Sequence, residues 1–156
     1  MASAVFMARA IEMAIENALS ANGGPFAALV VKGDAVIASG VNQVTTTNDP
    51  TAHAEIVAIR AACQVLGGFQ LPGCDIYSSC EPCPMCLGAL YWARPARIFF
   101  AGTRADAAEA GFDDSLIYDE LQAPVSERRI PMIPLMRDEA QRAFDVWKSK
   151  SDKVAY

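Results

Sequence analysis

Apolar residues recur at three- and four-residue spacing from Ser3 to Leu19, where Met7, Ile11, Ala14 and Ala18, with Ile15 alongside, share one face. Gly23-Gly24-Pro25 ends the run, so the pattern predicts an opening amphipathic helix. Two short β-rich stretches follow, Phe26 to Lys32 and Ala35 to Val41, separated by Gly33-Asp34, residue types that tight hairpin turns require. A second helix is expected from about Ala52 to Leu66: Ile56, Ile59 and Cys63 keep helical spacing and Gly67-Gly68 stops it, which places His53 and Glu55 in its first turn.

From there the chain alternates. A strand is predicted at Cys74 to Ser79, a helix at Pro84 to Trp92, a strand at Arg97 to Ala101 and a short helix from Arg104. After the loop Gly111-Phe112-Asp113-Asp114, a helical segment to Leu121, a strand around Ile130 to Met136 and a last helix from Asp138 to Ser149 complete the pattern. Pro131 and Pro134 fit that last strand only at a sheet edge. Strand-helix alternation implies crossover connections and a partly parallel sheet. The expected fold is α/β, a three-layer α/β/α sandwich around a five-stranded mixed sheet. It forms one domain over residues 1–156, without repeats or linkers.

Composition narrows the setting. The 156 residues are 53% hydrophobic and 20% charged, ordinary for a globular domain. No stretch approaches the ~20 uninterrupted apolar residues of a membrane span, and the N-terminal segment lacks a basic leader ahead of a long apolar run. A soluble, cytoplasmic protein with no membrane partner is expected. Five cysteines, an odd number, read as reduced thiols or metal ligands rather than a disulfide framework. The net charge of −5 disfavours a polynucleotide partner, since Lys and Arg neutralising phosphates supply most non-specific nucleic-acid affinity.

Against this background one constellation stands out: His53-Ala54-Glu55 at one helix start and Pro82-Cys83-Pro84-Met85-Cys86 at another. The order matches the His-x-Glu, Pro-Cys-x-x-Cys pattern of zinc nucleobase deaminases. Cysteines three apart at a helix start lie on one face and can share a tetrahedral ion, and the helix dipole favours their thiolates. His53 supplies a third, nitrogen ligand, leaving the fourth position for a water whose pKa the metal lowers to ~7. Glu55 then serves as base and proton shuttle. A Cys-x-x-Cys pair by itself is better explained as a redox or structural zinc motif. That reading weakens here because His53 is the only histidine and no second Cys-x-x-Cys pair separate from this run exists to close a four-sulfur site.

The stretches Gly23-Gly24-Pro25-Phe26, VTTTNDPTAHAE (44–55), SCEPCPMCLGALYWARP (79–95) and DAAEAGFDDSLIY (106–118), with the terminal Tyr156, resemble the bacterial guanine deaminases of the cytidine deaminase-like superfamily. The zinc motif marks the superfamily; the Gly-Phe-Asp-Asp loop and the tyrosine-ending tail point to guanine. The resemblance implies zinc-dependent hydrolysis of the free base guanine to xanthine and ammonia, in a homodimer. Glu55 would protonate the ring nitrogen and then the leaving amine, with Asp114 as base-recognising group and second shuttle. Asn42 would hydrogen-bond the purine edge, Phe26 stack on it, Ala54 offer its backbone amide, Trp92 line the pocket, and a tail of about residues 150–156 ending in Tyr156 fold over an active site.

From residue type alone Asp114 reads as a helix cap, Asn42 as a turn residue, Phe26 as core, Trp92 as helix-end packing and Tyr156 as a frayed terminus. Three further readings stay open at this point: a tRNA adenosine deaminase, a deaminase of cytosine or an amino-triazine, and a non-catalytic zinc module.

Overall fold

Helix α1 (Ala2–Leu19) lies on the sheet through Ala10, with Phe6, Met7 and Met13 beside it and Ala14 and Asn17 continuing the buried side. The buried stripe is turned from the one expected: Ile11, Ile15 and Ala18 face outward, because small Ala10 and Ala14 allow the closer approach to the strands. Strands β1 (Ala27–Lys32) and β2 (Ala35–Val41) form the antiparallel hairpin, with Gly33 at φ 61° in its turn, a conformation that favours glycine. β1 is apolar and buried on both faces, as a central strand must be.

A single helical turn, α2 (Val44–Thr47), was not anticipated; it leads into α3 (Ala54–Leu66), closed by Gly67 at φ 65°. β3 (Cys74–Cys80), α4 (Pro84–Ala93) and β4 (Arg97–Gly102) form the crossover unit, with β3 and β4 parallel, and α5 (Arg104–Glu109) follows behind a Thr103/Asp106 capping box. The strand order is β2-β1-β3-β4. One face carries α1 over Leu29, Val31 and Tyr77; the other carries α3 and α4, the latter through Leu90, over Ala28, Val30 and Ile76.

The computed structural model describes residues 2–156, in two compact units that meet in sequence after Asp114. All the elements above belong to the first. The second, Ser115–Tyr156, holds α6 (Ser115–Gln122), a 3-10 turn at Val125–Glu127 and α7 (Arg137–Ser149). None of its described residues is buried, although Ile130, Ile133, Leu135, Phe144 and Trp147 are large and apolar.

The sheet has four strands, not the five expected. Residues 130–136 carry no strand pairing, and Pro131 and Pro134 explain why: each removes an N–H that a ladder would use.

Candidate active site

Two helix starts converge on one point. His53 is the N-cap of α3, one residue ahead of the first turn in which it was expected, and Cys83 is the N-cap of α4 with Pro84 behind it. N-caps are usually Ser, Thr, Asp or Asn, whose side chains accept from the helix N–H groups. Neither His53 nor Cys83 makes such a bond, and both side chains turn toward each other instead. His53 Nδ1 lies 3.6 Å from Cys83 Sγ and 3.5 Å from Cys86 Sγ, and the three donor atoms fall within 4.8 Å of one another. One nitrogen and two sulfurs at that separation fit a tetrahedral zinc ion with its fourth position open.

The approach of α3 depends on Gly40. A Cβ there would sit 2.3 Å from the Ala54 carbonyl oxygen and 2.6 Å from the Ala58 nitrogen, so only glycine lets the helix start lie so close to β2.

The electrostatics suit metal binding. The Cys83 thiol is pushed down to about 4, first by a hydrogen bond from Cys86 and then by His53, while Cys86 is pushed up and keeps the proton the pair shares. His53 is raised, chiefly by its hydrogen bond with Cys83. Two helix N-termini aimed at the cluster add partial positive charge that favours thiolate.

Glu55, in the first turn of α3, is 7% exposed, and burial raises its pKa above the usual carboxylate range. Its Oε1 accepts from the Ser78 hydroxyl at 3.3 Å. Ala54 is the first residue of α3, so its N–H has no partner within the helix. Asp114 is half-buried, and its pKa is raised by burial and then by the charge of Cys83.

Phe26 meets Phe112 edge-to-face at 4.9 Å and 86°. Asn42 is buried, its Oδ1 accepting from the Gly24 and Val44 amides. His53, Cys83, Cys86, Glu55 and Asp114 are thus tied together electrostatically. Phe26 and Asn42 share one loop contact through the Asn42 N–H and the Phe26 carbonyl, at 3.0 Å.

Trp92 is 63% exposed and lies off the buried side of α4 formed by Cys86, Leu90 and Ala93; Tyr156 ends the second unit, 72% exposed. Neither Ser78 nor Asn17 was among the expected site residues. For Asn17 a signal existed, a polar residue three positions after Ala14 on the buried stripe.

Residues 2–102 match the cytidine and deoxycytidylate deaminase zinc-binding region. The chain is 54% identical over 151 residues to a guanine deaminase from Bacillus subtilis, covering 97% of each. The X-ray structure of the guanine deaminase from that organism superposes with a TM-score of 0.95, at 53% identity over 97% of each chain. A tRNA-specific adenosine deaminase from Agrobacterium fabrum is 41% identical over 106 residues, 65% of this chain and 70% of its own length. A further solved structure, in complex with 8-azaguanine, is 35% identical with a TM-score of 0.67 over 73% of this chain and 65% of that one. With the zinc-ligand geometry and these likenesses together, the chain belongs to the guanine deaminases of the cytidine deaminase-like superfamily.

Proposed function

We propose that the protein hydrolyses free guanine to xanthine and ammonia in purine salvage or catabolism. The observation that carries this is the juxtaposition of a His53/Cys83/Cys86 zinc set with the buried carboxylate of Glu55. Zinc held by these residues supplies Lewis acidity and an activated water.

Glu55 manages the protons. Its burial lifts its pKa, so the carboxyl can take one proton from the attacking water and pass it to the ring nitrogen, then take a second from the added hydroxyl and pass it to the leaving amine, which departs as ammonia. The Ser78 hydroxyl, donating to Oε1, helps orient that carboxyl. Asp114 shares the raised pKa of a proton carrier and recognises the base while assisting the departing amine. Phe26, braced edge-on by Phe112, offers a stacking face, and Asn42 and the Ala54 N–H address the polar edge of the base. Trp92 lines the pocket wall.

The active form is a homodimer in the cytoplasm. Supporting the dimer, Leu87, Tyr91 and Trp92 stand exposed on α4. Among the described residues no helix is long and apolar enough to cross a membrane. Sedimentation giving an active monomer would remove the dimer from this reading.

Substrate choice is tested by ammonia release from guanine, cytosine, adenine and a tRNA anticodon stem-loop, each offered separately. Guanine alone should be turned over at a useful rate. Preference for any of the other three would overturn the base assignment.

A further inference from the structure

Asn17 lies in the last turns of α1, 4% exposed, and is none of the groups assigned above. Its Nδ2 donates twice, to the Gly24 carbonyl at 2.8 Å and to the Asn42 carbonyl at 3.0 Å. Both amide hydrogens are thereby used to tie the loop before β1 to the end of β2.

That tie completes a closed network. Gly24 N–H and Val44 N–H both donate to Asn42 Oδ1 at 3.3 Å, Asn42 N–H donates to the Phe26 carbonyl at 3.0 Å, and Phe26 N–H donates to the Gly24 carbonyl at 2.8 Å. Gly23 is pressed against the same point: a Cβ there would lie 2.2 Å from the Asn42 carbonyl oxygen and 2.9 Å from its Oδ1.

The chemical consequence concerns polarity. A carboxamide oxygen has two lone pairs, and two backbone N–H groups meet the Asn42 Oδ1. Among the described residues nothing accepts from its Nδ2, so the amide presents donors to a ligand. We propose that Asn17 is a positioning residue that fixes Asn42 as a hydrogen-bond donor, selecting bases with a lone-pair edge, a carbonyl oxygen or unprotonated ring nitrogen, at that point. This rests on the guanine reading and deepens it. Without Asn17 the two carbonyls lose their donor, the loop shifts, and Asn42 is free to rotate and offer oxygen instead. Mispairing of a buried polar group is what separates substrates strongly.

The test uses the zinc-loaded full chain with Asn17→Asp, which keeps the shape but cannot donate to two carbonyls, and Asn17→Ala. Asn17→Ser, retaining a single donor, stands in should either fail to fold. KM and kcat for guanine are measured for these, for Asn42→Ala and for the Asn17/Asn42 double variant.

KM is expected to rise ~10-fold in the Asp and Ala variants, the size of a lost buried hydrogen bond, with kcat within about threefold and zinc content unchanged. In the Asn42→Ala background the Asn17 change should add less than about twofold, because the two act through one contact. A residue that only stabilises the fold would lower the melting temperature and the active fraction while leaving KM alone. KM values within about twofold of the parent, or effects that simply add, overturn the proposal. A parent enzyme that releases no xanthine from guanine would instead overturn the guanine reading, and this inference with it.

Discussion

The hydroxyl of Ser78, on the central strand β3, donates to Oε1 of Glu55 across 3.3 Å, with Ser78 only 2% exposed. This bond helps set the orientation of the carboxylate that shuttles protons. Ser78→Ala is expected to lower kcat on the order of fivefold, equivalent to ~1 kcal/mol, with zinc content unchanged. Steady-state kinetics with metal analysis check this; a kcat equal to the parent's would show that Glu55 is held by other contacts.

Gly40 offers a purely steric prediction. Alanine there places its Cβ 2.3 Å from the Ala54 carbonyl oxygen, which is backbone and cannot swing aside. Helix α3 must retreat, carrying His53 and Glu55 with it. A loss of about 1–3 kcal/mol in unfolding free energy and a weaker hold on zinc are expected. Denaturant titration and zinc stoichiometry after dialysis would read both, and an unaltered variant would contradict the close approach.

Metal removal should act on stability as well as activity. Cys83, Cys86 and His53 bind as deprotonated groups, so protons compete with the ion. His53 has a raised pKa in the metal-free protein, so its own contribution is present in acid and lost as the pH rises through that value. Zinc works in the opposite sense. The difference in melting temperature between zinc-loaded and chelator-treated protein should be largest on the alkaline side of the raised His53 pKa and shrink on acidification through it. Thermal melts at several pH values test this, and a zinc effect that grew in acid would exclude the His53 ligand.

The fold was largely legible because its signals are local. Gly33-Asp34 marked the hairpin, Gly67 the end of α3, and Cys83-Pro84 the start of α4, each within a residue or two of its place. The metal ligands were legible for a chemical reason: one histidine and one run of Cys-x-x-Cys spacing left few alternatives. Ile130 to Met136 misled because β-favouring side chains outvoted Pro131 and Pro134, whose missing donors decide against a ladder. Asn17 and Ser78 were hidden because their partners, Asn42 and Glu55, lie 25 and 23 residues away, and pairing at that distance is created by the sheet and not by any local pattern. The face of α1 was misjudged for a related reason: alanines, not isoleucines, occupy the tight contact with the strands.

The central claim is that Glu55 moves the protons of guanine hydrolysis beside a zinc ion held by other residues. Glu55→Gln keeps size and shape while removing the proton carrier, so zinc-loaded parent and variant should carry equal metal per chain. Xanthine and ammonia formation from guanine is expected to fall ~10²–10⁴-fold in the variant, the contribution of a positioned general acid-base. A variant that holds zinc and turns over guanine at the parent's rate would contradict the account.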